Sequence, residues 1–151
     1  MNKSDLTVLT VVENDSGILD LMIRSVYKFT NPVPNIIISY HGGCDDIINK
    51  YKNNLNINIV PYSPTLTSGS VRHGEGLNNI FPLVTTKKTA IIESDCILLS
   101  TQWDFVDFPK HKMIAAKKGE LAGQPYYHSC FMVFSTALLR HGIPIDFRPG
   151  Q

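Results

Sequence analysis

Two acids separated by one residue, Glu93 and Asp95, stand directly behind an apolar, β-branched run, Thr89-Ala90-Ile91-Ile92. The run reads as a short buried strand, so the acids fall at its end. Side chains at i and i+2 of extended backbone point to the same side, and the spacing predicts two carboxylates aimed together. Such a pair suits a hard divalent cation, since Mg²⁺ is typically held by one or two carboxylates and by the phosphates of its substrate. Upstream, residues 68–79 (SGSVRHGEGLNN) are too polar for a core although they lie between strong strands. Ser68, Gly69 and Ser70 can bring backbone amides to a phosphate at a helix N-terminus, where the dipole favours anions. Arg72 and His73 add positive donors. The same stretch also reads as a solvated loop and helix cap, and acid pairs on exposed turns are common. The chemical reading rests on the two features lying together in this order.

The elements that must position these residues follow from hydrophobic pattern. Leu6–Val12 (LTVLTVV) is an unbroken apolar and β-branched run, as expected of a strand buried on both faces. Asn14-Asp15-Ser16-Gly17 breaks it and offers helix caps. Ile18, Met22, Val26 and Phe29 then recur at helical spacing, with Leu19 and Ile23 widening the apolar face. Asn31-Pro32-Val33-Pro34 ends that helix. Asn35–Tyr40 (NIIISY) predicts a second buried strand, residues 46–53 a short helix, and residues 55–60 a third strand. Residues 71–84 predict a helix turning Leu77, Ile80, Phe81 and Val84 inward. Residues 113–116 and 130–134 read as further strands, 103–108 as loop or short helix, and 136–141 as a short helix. The βαβαβ order predicts a mostly parallel sheet with helices on both faces. In such sheets ligands bind outside the carboxyl ends of the strands, which places the ends of the first two strands and the E-S-D turn on one rim.

Composition excludes several classes. A chain of 151 residues is one domain by length, residues 1–151, and 43% hydrophobic content is ordinary for a globular protein. A net charge of +1 gives no field favouring nucleic acid, membranes or acidic partners. No basic stripe with interleaved aromatics is present, so no nucleic-acid partner is expected. No stretch is long enough for a transmembrane segment, and the polar start MNKSD does not read as a signal peptide. Cys44, Cys96 and Cys130 form neither a C-x-x-C pair nor an even disulfide framework. Reduced thiols and a cytoplasmic location are expected. There is no G-x-S-x-G elbow, P-loop or G-x-G-x-x-G fingerprint. The loop-like run 143–151 reads as a domain interrupted, or one that borrows its last elements from elsewhere.

The pattern L-T-V-V-x-N near the start, the H-G-x-G-L-N of residues 73–78 and the strand closing in an acid-x-Asp turn together resemble the GT-A-fold glycosyltransferases, nearest to family 2 and its small viral and bacterial members. The resemblance spans roughly residues 6–148 and is strongest over 70–99. It implies a Rossmann-like GT-A sandwich, with residues 1–99 as the nucleotide-sugar-binding half and 100–151 as a partial acceptor-side half, the C-terminal part incomplete. It implies a nucleoside-diphosphate sugar as donor, a carbohydrate or other hydroxyl as acceptor, and Mn²⁺ or Mg²⁺ as cofactor. Asp95 matches the metal-binding acid and Glu93 the first acid of the motif, facing ribose or metal, with Ser94 between them at the donor. Thr10, Val11 and Val12 match the first strand end, where backbone groups meet the nucleobase. Tyr40, or His41 after it, stands where family members often carry a uracil-reading Asp, and Glu13 where an aromatic residue is common. Arg72, His73 and Asn78 fall where the family contacts base, ribose or diphosphate. His128 lies on the acceptor side, as a contact to phosphate or metal or as a structural histidine. Inverting members take a catalytic Asp or Glu from beyond the acceptor strand; Asp146 is the only late acid here.

Two functions therefore stand open: a metal-dependent glycosyltransferase, and a truncated, non-catalytic sugar-nucleotide-binding domain that needs a partner or missing segment. A nucleotidyltransferase ranks behind both, for want of a Gly-rich, basic N-terminal loop. Trp103, Phe105 and Phe108 read as core packing before they read as a sugar platform.

Overall fold

The computed structural model describes residues 4–14, 16–65, 68–105, 113–121, 124–140 and 146–148. Strand β1 (Leu6–Val12) is buried at all seven positions, as its unbroken apolar run requires. It pairs in parallel with β2 (Asn35–Tyr40) on one edge and with β4 (Lys88–Ile92) on the other. Strand β3 (Ile57–Pro61) extends the parallel set beyond β2. Beyond β4, β6 (Gln124–Ser135) runs antiparallel and carries β5 (Met113–Leu121) on its outer edge. The sheet order is β3-β2-β1-β4-β6-β5, the mostly parallel arrangement that the βαβαβ pattern predicts.

Side-chain alternation along β1 divides the core in two. Leu6, Val8 and Val12 join the layer formed by α1 (Ser16–Phe29) and α2 (Asp45–Tyr51), with Leu19, Met22, Ile23 and Val26 as the buried face of α1. Leu9 and Val11 face the other way, onto Leu77 and Ile80 of α3 (Gly69–Ile80) and onto Phe81 and Val84 behind it. Helices thus cover both faces of the sheet.

Several boundaries move for local reasons. Ile18 is 37% exposed and Phe29 half-buried, so the inward face of α1 is Leu19, Met22, Ile23 and Val26 rather than the row begun at Ile18. The third strand begins two residues late because Asn54 builds a turn: its carbonyl accepts from Ile57 N–H at 3.0 Å and its side chain from Asn56 N–H at 2.9 Å. Leu55 is left fully exposed. Helix α3 starts at Gly69 and does not run to residue 84. Pro82 has no N–H to continue it, and the chain tightens into a 3₁₀ turn, Phe81–Leu83, closed by Val84 N–H on the Phe81 carbonyl. The strands expected at 113–116 and 130–134 are longer than their apolar runs. The short helix α4 is Thr136–Arg140; residue 141 lies outside the described residues.

Close approach of α3 to the sheet is set by one glycine. A Cβ at Gly76 would lie 2.7 Å and 2.9 Å from the two Val11 methyls and 3.3 Å from Ser39 Oγ. Gly76→Ala is expected to destabilise the protein by about 1–2 kcal/mol, overpacking outweighing the roughly 1 kcal/mol gained in helix propensity. Gly69→Ala, with nothing within 4 Å of the new methyl, should be neutral or stabilising. Urea unfolding of the two variants checks this, and equal midpoints would show that α3 is not held by that contact.

Candidate functional site

The strand order reverses at β1: the chain moves outward from β1 to β2 and β3, then returns to β4 on the opposite edge. Between β1 and β4 the connections diverge, the point outside the carboxyl ends of the strands where open α/β sheets take their ligands. The ladders also end unevenly. β1 pairs with β2 as far as Val12 with Tyr40, but with β4 only as far as Leu9 with Ile91. The end of β1, including the expected Thr10, Val11 and Val12, therefore outruns the β4 ladder. Their side chains are buried, so only their backbone can serve a ligand.

One residue past each parallel strand comes a polar or aromatic group: Glu13, His41, Tyr62 and Glu93. Arg72, from the first turns of α3, reaches back to Glu13 at 3.0 Å. The Tyr62 phenol oxygen lies 3.2 Å from both Glu13 Oε1 and the Arg72 carbonyl. Burial, followed by the negative charge of Glu13, pushes the Tyr62 phenol up to about 12, so it stays a neutral donor. His41 Nδ1 donates to the Tyr62 carbonyl at 3.3 Å, with the rings 5.6 Å apart. Tyr40, expected at the base, instead donates its hydroxyl to Asp45 at the start of α2. The Glu13–Arg72 pair is about a quarter to a third exposed, the class of ion pair worth about 1 kcal/mol or less.

The acid turn follows the end of β4, the strand that pairs with β1 on its other edge. Glu93 N–H donates to the Cys130 carbonyl at 3.0 Å, extending the β4–β6 ladder by one step, and Cys96 N–H closes on the Glu93 carbonyl at 3.0 Å. Glu93-Ser94-Asp95-Cys96 is thus a β-turn, and the expectation of extended backbone carrying both acids on one side is corrected: the i, i+2 rule of a strand stops at Glu93. Glu93 is half-buried and Asp95 exposed. Among the described residues no three His, Cys, Asp or Glu side chains converge into a cage. Glu93 and Asp95 bring two carboxylates to the end of β4, and oxygen donors are the type a hard cation takes alongside phosphate and water.

Helix α3 places its N-terminus at the same rim, because a crossover helix runs antiparallel to its strands. Ser68 caps it in extended conformation without a side-chain cap bond, and Ser68, Gly69 and Ser70 are exposed. Further along, Gly74 and Asn78 share a helix face and receive residues 146–148. A Cβ at Gly74 would meet Phe147 O and the Arg148 backbone at 2.6–2.7 Å. Asn78 donates to Asp146 at 2.8 Å and accepts from Phe147 N–H at 3.0 Å, so both ends of the amide expected at the donor are taken by this segment. Arg148 forms an ion pair with Asp146. The guanidinium and backbone N–H of Arg148, then the Asn78 amide, hold the Asp146 carboxyl well below the usual carboxylate range. His73 is half-buried on α3. His128 lies on β6 opposite Ala116, its side chain outside the described part of the structure; Asp107 and Phe108 lie outside it too. Trp103 packs edge-on to Phe131 and donates Nε1–H to Thr30 at 3.0 Å, a core role. Tyr62 was missed by motif reading and Glu13 was noted only as a departure from the family pattern, although the rule that rim residues follow strand ends points to both.

No protein-family profile and no curated protein matches the sequence. Solved structures match the fold. A mannosyltransferase from Pyrobaculum calidifontis, in complex with GDP-Man and Mn²⁺, aligns with TM-score 0.68 and 13% identity over 95% of this chain and 48% of its own. Glucosyl-3-phosphoglycerate synthase from Mycobacterium tuberculosis, in complex with UDP, gives 0.62 and 15% over 89% and 57%. The galactosyltransferase LgtC, with donor and acceptor sugar analogues, gives 0.64 and 11% over 90% and 60%. The fold is that of the GT-A glycosyltransferases, and the chain spans about half the length of these structures.

The depressed Asp146 carboxyl sets a pH dependence. A carboxylate held below its unfolded value of about 3.9 contributes stability above that pH and loses it as pH falls through the folded value. Asp146→Asn should therefore lower the urea midpoint at pH 7 and lose less stability than the parent on acidification below about pH 4. Parallel pH profiles of parent and variant would show that the Arg148 pair is not formed in solution.

Proposed function

We propose that this chain acts as a glycosyltransferase domain that seats a nucleoside-diphosphate sugar at the β1–β4 switch point and passes the sugar to an acceptor hydroxyl. The observation that carries the reading is the position of the acid turn: Glu93 and Asp95 follow β4, the strand beside β1 at which the strand order reverses, and the exposed N-terminus of α3 starts from the same end of the sheet. The backbone at the end of β1 and the Tyr62–Glu13 pair offer polar partners to the nucleoside. The α3 amides and Arg72, exchanging its weak Glu13 pair for a phosphate, offer them to the diphosphate. Glu93 and Asp95 are the residues that would hold a divalent cation. A cation there supplies charge neutralisation for the departing nucleoside diphosphate.

Transfer also needs a carboxylate within hydrogen-bond reach of the acceptor hydroxyl to take its proton. Asp146, the late acid expected in that role, is ion-paired with Arg148 and its proton affinity is lowered, which makes it a poor base. That observation favours a second reading, a domain that binds the nucleotide sugar without turning it over.

Calorimetric titration with UDP, GDP and dTDP, each with and without Mn²⁺, tests the site. One diphosphate is expected to bind in a Mn²⁺-dependent manner, and Asp95→Ala to weaken it at least about tenfold, or 1.4 kcal/mol. Binding that ignores Mn²⁺ or survives Asp95→Ala unchanged would end the metal assignment. Slow hydrolysis of the matching nucleotide sugar distinguishes a transferase from a domain that leaves it intact.

A further inference from the structure

Beside the acid turn lies a pair of side chains that sugar transfer does not use. Cys96 closes the turn, and Cys130 lies on β6 directly across from Glu93. Two backbone bonds tie them together: Glu93 N–H to the Cys130 carbonyl, and Cys96 N–H to the Glu93 carbonyl, each 3.0 Å. Both residues are half-buried thiols rather than a disulfide. The Cys96 thiol shares a hydrogen bond with the Cys130 thiol. The third cysteine, Cys44, is fully buried at the start of α2, in the layer with α1.

We infer that Cys96 and Cys130 are a thiol pair that closes to a disulfide on exposure to a low-molecular-weight disulfide such as oxidised glutathione. Both residues hang on Glu93 through the backbone and their thiols are already in hydrogen-bond contact, so the sulfurs have only to close from that contact to the roughly 2.05 Å of an S–S bond. One cysteine thiolate attacks a sulfur of the reagent, forming a mixed disulfide and releasing one glutathione thiolate. The other cysteine thiolate then attacks the protein-bound sulfur, the Cys96–Cys130 bond forms, and a second glutathione thiolate leaves. The two thiol protons pass to the two released thiolates, so one reagent disulfide is reduced for each protein disulfide made. The bridge locks the turn bearing Glu93 and Asp95 to β6 and closes the chain between residues 96 and 130 into a covalent loop. Oxidation thereby modifies the rim whatever ligand the rim takes, and this inference does not rest on the proposed transferase activity.

Intact mass and non-reducing peptide mapping of the native chain, after incubation with oxidised glutathione, test it. The expected product is lighter by about 2 Da, contains a peptide linking Cys96 to Cys130, reverts with dithiothreitol and melts several degrees higher. Cys130→Ser is expected to give no loss of about 2 Da and at most glutathione adducts. Glutathione adducts on the parent chain without a bridge, an unchanged mass, or a link through Cys44 would overturn the inference. Because the map of the parent chain decides by itself, a variant that fails to fold does not blunt the test.

Discussion

A strand whose seven side chains are all buried has no face to give to water and no edge to leave unpaired. β1 meets both demands by taking β2 on one side and β4 on the other, with α1 and α3 covering its opposite faces through Leu6, Val8 and Val12 and through Leu9 and Val11. Parallel neighbours require crossover connections, and placing them on both sides of one strand forces the order to reverse there. The crevice at the carboxyl end is a consequence of that reversal. So is the placement of Glu13, Tyr62, Arg72 and the acid turn at one end of the sheet, since each follows a strand end or a helix start that β1 has already placed. The site is inherited from the burial of a single strand.

α3 shows how one short motif can carry packing on two sides of a helix. In H-G-x-G-L-N, Gly76 and Leu77 belong to the sheet side, Gly76 because Val11 and Ser39 leave no space for a Cβ. Gly74 and Asn78 belong to the opposite side, where residues 146–148 lie across the helix and Phe147 reaches edge-on to Phe81 at 5.6 Å. The motif's small and amide residues are therefore occupied by the protein itself. What α3 leaves exposed is its beginning, Ser68 to Ser70, while Arg72 is held through a partly exposed ion pair with Glu13.

Long-period features were legible in the sequence. Unbroken apolar runs gave β1, β2 and β4 to within one residue, because full burial leaves no ambiguity about period. The 3.6-residue rows of α1 and α3 were legible for the same reason. What was not legible depends on single hydrogen bonds: the Asn54 turn that delays β3, and the missing Pro82 N–H that tightens the end of α3. The candidate site was half legible. Residue types on the rim could be read, but partners could not. Tyr40 turns to Asp45 and Asn78 to Asp146, and these contacts join residues 5 and 68 positions apart. A motif reports which side chains stand near a crevice and not which neighbours have already claimed them.

The acid turn belongs to the antiparallel part of the sheet as much as to the parallel part. β4 ends at Ile92 against Phe131, yet β6 runs on toward Gln124 paired with β5 alone. β6 therefore overshoots the rim, and the β5–β6 ribbon flanks the turn where the β1 end flanks it on the other side. Of the two register shifts between β5 and β6, that between Ala115 and Ala116 skips residues 129–131 of β6, where the pairing with β4 ends, and that between Lys117 and Gly119 falls within the overshoot, where bulges bend a ribbon and increase its twist. Glu93 is held by the Cys130 carbonyl, so its position is fixed from β6 and not only from the strand that precedes it. Both elements that carry the turn meet at Cys96 and Cys130. A change confined to that junction therefore reaches the carboxylates without disturbing the buried strand that placed them.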